Sequence, residues 1–194
     1  MPRTPVSGPE TAITLASCPA DIVELTAFRE RAPGLARLAA RRELTLAEPG
    51  ASAAGAGHLT LSVRPRRWLL LTPPAEPGAS AALCQELCEG SAAVVDLSSA
   101  LAGFLLAGPA VAGMLARACR LDLERRAFPA GRAAATIMVQ VPVILAQLTA
   151  GMLLLTPATT ARHLREWLEE TAQPFGLATA PDTTVSVLCG ETST

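Results

Sequence analysis

Two kinds of apolar pattern alternate along this chain. Short apolar or alternating runs read as strands, and stretches with apolar positions three and four apart read as helices. Residues 11–16, around TAITL, give a first short strand, and Asp21 to Arg31 (DIVELTAFRER) a short helix ended by Pro33. Residues 47–57, AEPGASAAGAG, read as a flexible loop. Two strands follow on either side of Pro65, the alternating HLTLSV and the continuous RRWLLLTP. Ala79 to Cys88 has Leu83 and Leu87 one helical turn apart, and Ala92 to Leu97 returns to a strand. Leu121 to Phe128 is a charged connection ended by Pro129. From Ala133 to Thr156 three strands are predicted, broken at Val141-Pro142 and Ala150-Gly151. Ala158 to Thr171 is an amphipathic helix with Ala161, Leu164 and Leu168 inward, Arg162, Arg165, Glu166, Glu169 and Glu170 outward, and Thr159 or Thr160 placed to cap it.

The stretch Leu97 to Ala116 carries no charge over twenty residues, long enough to cross a bilayer core. Its composition argues otherwise. Only seven of the twenty are Leu, Phe or Val, while Ser98, Ser99, Gly103, Gly108, Pro109 and Gly113 add nothing to insertion. Before Pro109 the apolar residues fill both faces of a strand. After it, Val111, Met114, Leu115 and Ala118 recur at helical spacing. The stretch is therefore expected to be a strand, a tight turn and a helix inside a protein core, not a membrane span.

This order of strands and helices predicts an α+β fold with a mostly antiparallel sheet and packed helices. Residues 1–10 are expected to be disordered, 11–176 to form a single domain, and 177–194, rich in Thr, Ser and Ala, to be a flexible tail apart from a short strand at VSVL.

Composition narrows the function. With 3% aromatic residues and no Tyr, the core must be built from Leu, Val, Ala and Met. All sixteen basic residues are Arg, and Lys and Asn are absent, the mark of GC-rich codon usage. The net charge of -1 excludes a general nucleic-acid binder, for which a basic excess is needed. The N-terminal residues have no apolar core of the length a secretory signal needs. Five scattered cysteines, an odd number, do not form a disulfide framework, and the expected location is the cytoplasm.

Candidate chemistry is sparse. Cys84 and Cys88 share a helix face, but His58 and His163 lie far from them in sequence, so two small buried side chains are favoured over a metal site. Ser98 and Ser99 lie outside any nucleophile elbow, and neither histidine has a partner that would make it a general base. Asp96, at the end of an apolar strand, either contacts a ligand or accepts backbone N–H bonds from Ser98 or Ser99, and the turn reading is favoured. Trp68 and Trp167 read as packing or interface residues because no basic groove accompanies them. No catalytic, cofactor-binding or metal-ligating residue is expected on this chain.

The order of segments is more informative than any one residue. VVDLSSALAGFLLAGPAVAGMLARACRLDLERRAFPAGRAAATIMVQVPVILAQ, followed by MLLLTPATTARHLREWLEE, resembles the gamma subunit of heterotetrameric sarcosine oxidase. The resemblance covers roughly residues 58–176. It rests on RRWLLLTP, the Asp96–Ser98 element, the GPAVAGMLA turn and helix, CRLDL, AFPAG and the closing helix with Trp167. Where family members carry a His-Arg or Gly-Arg pair after Ser98, this chain has Ser99 and Ala100. Where they have an Arg-Ser-Phe type segment, it reads TPATT from Thr156 to Thr160.

That family is related in fold to the folate-binding aminomethyltransferases of the glycine cleavage system. The resemblance implies a non-catalytic accessory chain of a complex that oxidatively demethylates sarcosine or a related secondary amine. It implies as partners large alpha and beta flavoprotein subunits, which hold FAD, FMN, NAD and tetrahydrofolate, and a small delta subunit. The alternative is a stand-alone folate-binding aminomethyltransferase-like protein. In those enzymes an acidic residue near the strand meander serves the folate chemistry, and Val139 to Leu148 contains no carboxylate here.

Overall fold

The computed structural model describes residues 12–190. Its elements run β1 (Ile13–Ser17), β2 (Asp21–Ala27), α1 (Ala32–Arg41), β3 (Ala51–Gly55), β4 (His58–Arg64), β5 (Arg67–Thr72), α2 (Ala79–Cys88), β6 (Ala92–Asp96), β7 (Leu101–Ala107) and α3 (Val111–Leu115). They continue with β8 (Ala133–Met138), β9 (Val141–Leu148), β10 (Gly151–Pro157), α4 (Ala158–Ala172), a 3-10 turn (Gln173–Phe175), β11 (Leu177–Thr179) and α5 (Val185–Leu188).

The strands form two sheets. One has the order β11-β1-β7-β10-β9-β8 and the other β3-β4-β5-β2-β6. Every neighbouring pair is antiparallel except β1 and β11. The sheets stack with Ile22, Leu59, Leu61 and Leu71 of the five-stranded sheet against Leu105, Ala146, Leu153 and Leu155 of the other. Helices cover both outer faces. Met114, Leu115, Leu164 and Leu168, from α3 and α4, pack on Phe104, Leu106 and Leu154. Leu35, Ala39, Cys84 and Cys88, from α1 and α2, pack on Val23, Leu25 and Leu70.

The result is four layers, helix, sheet, sheet, helix. Central strands buried on both faces need no polar alternation. This explains the unbroken apolar runs of β5, β7 and β10, and Leu97 to Ala116 is not one long helix but a strand, a turn and a short helix. No described helix is long and apolar enough to cross a membrane. The predicted strand, turn and helix are β7, Gly108-Pro109 and α3. Gly108, at φ +122°, passes so close to Ala12 that a Cβ would run into its carbonyl.

Several expectations need correction. Asp21–Ala27 is a strand, not a helix, because its Ile, Val and Thr residues suit an extended chain that is paired on both sides, with β5 and β6. Pro33 does not end a helix but sits in the first turn of α1, where a missing N–H costs nothing. Residues 51–55, expected to be loop, form β3 against β4. The preceding connection is held by the polar positions of HLTLSV. The Thr60 hydroxyl donates to the Thr45 carbonyl at 2.8 Å and accepts from the Ala47 N–H, and His58 Nε2 accepts from the Thr45 N–H at 3.1 Å.

Neither Thr159 nor Thr160 caps α4. The Ala158 N–H bonds the Ala100 carbonyl, and the Thr160 hydroxyl donates to the Pro157 carbonyl. On α2 the buried face belongs to Cys84 and Cys88, and Leu83 points outward. VSVL is helix α5, not strand, and its Val185 and Leu188 pack between the sheets near the start of β4, while β11 pairs with β1. Residues 177–190 are thus tied to the fold. Residues 1–10 lie outside the described residues.

Candidate functional site

Asp96 ends β6, and Ser98 begins the turn into β7. The Asp96 Oδ1 accepts the Ser98 N–H at 2.9 Å, and the Ser98 Oγ accepts the Ile22 N–H at 3.1 Å. Hydrogen bonds from the Ser98 hydroxyl and backbone hold the Asp96 carboxyl below the usual carboxylate range. The pair pins the start of β2 to the turn between β6 and β7, which is the turn role expected of Asp96.

The other candidates are also occupied by structure. His58 is buried, and with Nε2 accepting from Thr45, Nδ1 carries the proton donated to the Ala56 carbonyl at 3.1 Å. A Cβ at Gly55 would collide with its ring. His163 is exposed on α4. Cys84 and Cys88 face the core. Burial, with the neighbouring Cys88 second, pushes the Cys84 thiol up to about 11, and burial raises Cys88 as well. Among the described residues no group of three metal-ligating side chains converges. Trp68 is half-buried and donates its Nε1–H to the Ala47 carbonyl at 2.7 Å, and Trp167 packs against the core under α4.

What sequence reasoning missed is a cavity. At the open end of the sandwich, away from α5, the two sheets part and enclose about 360 Å³, within the range of ligand pockets. Its floor is Leu61, Leu69, Ile144 and Leu155, and its rim carries Arg64, Arg67 and Glu24. Arg67 reaches Glu24 at 2.6 Å, and Glu24 is only 13% exposed, so the charge on this wall is neutralised in place. The cavity is assembled from β2, β4, β5, β7, β8, β9 and β10, which no local pattern could have indicated.

The resemblance implies a fold related to folate-binding aminomethyltransferases, and the cavity is where the fit of its residues to that group is tested. Glu24 is the one carboxylate lining it among the described residues, and Arg67 occupies it. β9 supplies none. These residues do not fit folate-dependent one-carbon transfer.

No family model matches the chain. The fold is shared with the glycine cleavage system aminomethyltransferase T from Bartonella henselae, with a TM-score of 0.63 at 14% identity over 89% of this chain and 48% of that one. A chain of the heterotetrameric sarcosine oxidase from Corynebacterium sp. U-96, solved with pyrrole 2-carboxylate, superimposes with a TM-score of 0.75 at 28% identity, covering 90% of both chains. A sarcosine oxidase subunit gamma from an Arthrobacter species is 34% identical over 114 residues. That match takes in 58% of this chain and 56% of the relative, so it spans about half the relative's length. The double-sheet fold is the one these two solved structures share with the chain. In sequence the chain is similar to that sarcosine oxidase gamma subunit over the matched stretch.

Proposed function

We propose that this chain is a non-catalytic, gamma-type accessory subunit of a heterotetrameric, flavin-dependent complex that oxidatively demethylates sarcosine or a related secondary amine. The observation that carries the reading is the superposition on a chain of heterotetrameric sarcosine oxidase, end to end over 90% of both chains. The site chemistry supports it. Asp96, His58, Cys84 and Cys88, the residues with most chemical potential, each serve packing or a backbone hydrogen bond. In this proposal the larger alpha and beta subunits hold FAD, FMN, NAD and tetrahydrofolate, a small delta subunit completes the assembly, and the complex works in the cytoplasm.

Co-expression with the alpha, beta and delta subunits of the same source tests it. A yellow complex with flavin absorbance that contains this chain through affinity and size-exclusion steps is the expected result. Elution of the chain alone, with the flavin subunits assembled without it, would reject the proposal.

A further inference from the structure

The cavity is the middle of a longer apolar groove. On the six-stranded sheet Leu101 lies opposite Pro157, and Pro142 opposite Ile137. Directly opposed residues share a face, so all four look toward the other sheet. The first three line the cavity, and Ile137 continues the row into solvent at 66% exposure. On the facing sheet Val95 lies opposite the lining residue Glu24 and is 46% exposed. Two of the large apolar side chains exposed among the described residues are thus the outer neighbours of cavity walls. Continuous with the cavity's apolar lining, they extend it into one exposed apolar patch, the kind of surface that marks an interaction site.

Length and charge select the occupant. The lining crosses β8, β9, β10 and β7, three inter-strand spacings, or about 14 Å at ~4.8 Å each. That is too long for one amino-acid-sized molecule and matches about four residues of extended chain. Arg67 is neutralised by Glu24, but Arg64, opposite it across the β4–β5 hairpin, makes no ion pair among the described residues. The groove therefore presents one net positive charge at the rim of an apolar floor.

We infer that this groove is a docking site for an extended segment of a partner subunit, apolar along the floor and carrying one Asp or Glu that meets Arg64. The inference rests on the chain being a subunit of a larger assembly. Binding there would cover Ile137 and Val95 and give Arg64 its counter-charge. It would leave Leu83, 62% exposed on α2 at the far face of the other sheet, untouched.

Three variants in the co-expressed complex test this: Ile137→Glu, Arg64→Glu and Leu83→Glu. All three positions are exposed, so the variants should fold, which circular dichroism and thermal melting verify. Ile137→Glu and Arg64→Glu are expected to weaken assembly by about tenfold or more, and Leu83→Glu to behave as wild type. Assembly of Ile137→Glu and Arg64→Glu at wild-type strength would overturn the docking site while leaving the subunit reading intact. Failure of the wild-type chain itself to assemble would overturn both.

Discussion

Arg67 on β5 places both its Nε and an Nη nitrogen 2.6 Å from the same oxygen, Oε2 of Glu24 on β2, on the wall of the cavity between the sheets. Thr26 stands directly across from Arg67, and Glu24 lies two residues away on the same strand, so the pair is a diagonal contact between adjacent strands. Arg67 remains 44% exposed, which limits its worth. Arg67→Ala is expected to cost about 1 kcal/mol in urea denaturation at low salt. The loss should shrink in 1 M NaCl, because salt screens a pair open to solvent. A loss unchanged by salt would assign the effect to packing of the arginine stem.

The buried thiols set a pH limit. Burial, with Asp182 as the second cause, raises Cys18 to about 11, and Cys84 reaches a similar value, from an ordinary 9.0. A group whose pKa is raised on folding gives stability that is whole below the unfolded value and lost as pH climbs through the folded one. Melting temperature should therefore be insensitive to these thiols below about pH 8 and fall between about pH 9 and pH 11. Cys84→Ala should lessen that fall. Native Cys18, Cys84 and Cys88 should also resist thiol reagents at pH 8 that react fully in denaturant.

The turn between β7 and α3 depends on Gly108. Its φ of +122° disfavours any side chain, and a Cβ there meets the Ala12 carbonyl, which is backbone and cannot swing away. Gly108→Ala should destabilise by about 2 kcal/mol or more, read from the urea midpoint. A variant as stable as wild type would mean the turn has another conformation.

The β8–β9 hairpin is built on Val139 and Gln140, at φ +50° and +64°. A two-residue turn with both angles positive is ordinarily made with Asn-Gly. Gln140 is exposed, so Gln140→Gly removes strain without removing a core contact. It should raise stability by about 0.5 kcal/mol, the relief being partly offset by glycine's greater freedom when unfolded. A large loss would show that Gln140 holds something in place.

Under α4, Leu168 has no exposed surface and belongs to the core beneath the six-stranded sheet. Leu168→Ala should cost about 2–5 kcal/mol by thermal or chemical denaturation.

Elements whose signal is local were legible in the sequence. The Pro109 break, the Ala133–Thr156 meander and the amphipathic period of α4 each specify themselves within a few residues. β2 was not legible because DIVELTA owes its strand state to β5 and β6, distant in sequence, and β3 was not because ASAAG, all small residues, carries no strand signal until it pairs with β4. The sequence also could not show that VSVL turns its two apolar residues into the space between sheets, where a helix reaches and a strand was expected. For the site, Asp96 was readable as a turn residue because its partner Ser98 is two positions away. Glu24 and Arg67 are forty-three positions apart and meet only after the sheet has formed.

The central claim is that this chain acts as part of an assembly and not alone. Native mass spectrometry of the affinity-purified, co-expressed proteins tests it most directly. The expected spectrum shows this chain in a single mass with the flavin-bearing subunits, and dissociation releases it intact without cofactor. A spectrum of the chain by itself, alongside a complete flavin complex that lacks it, would contradict the claim.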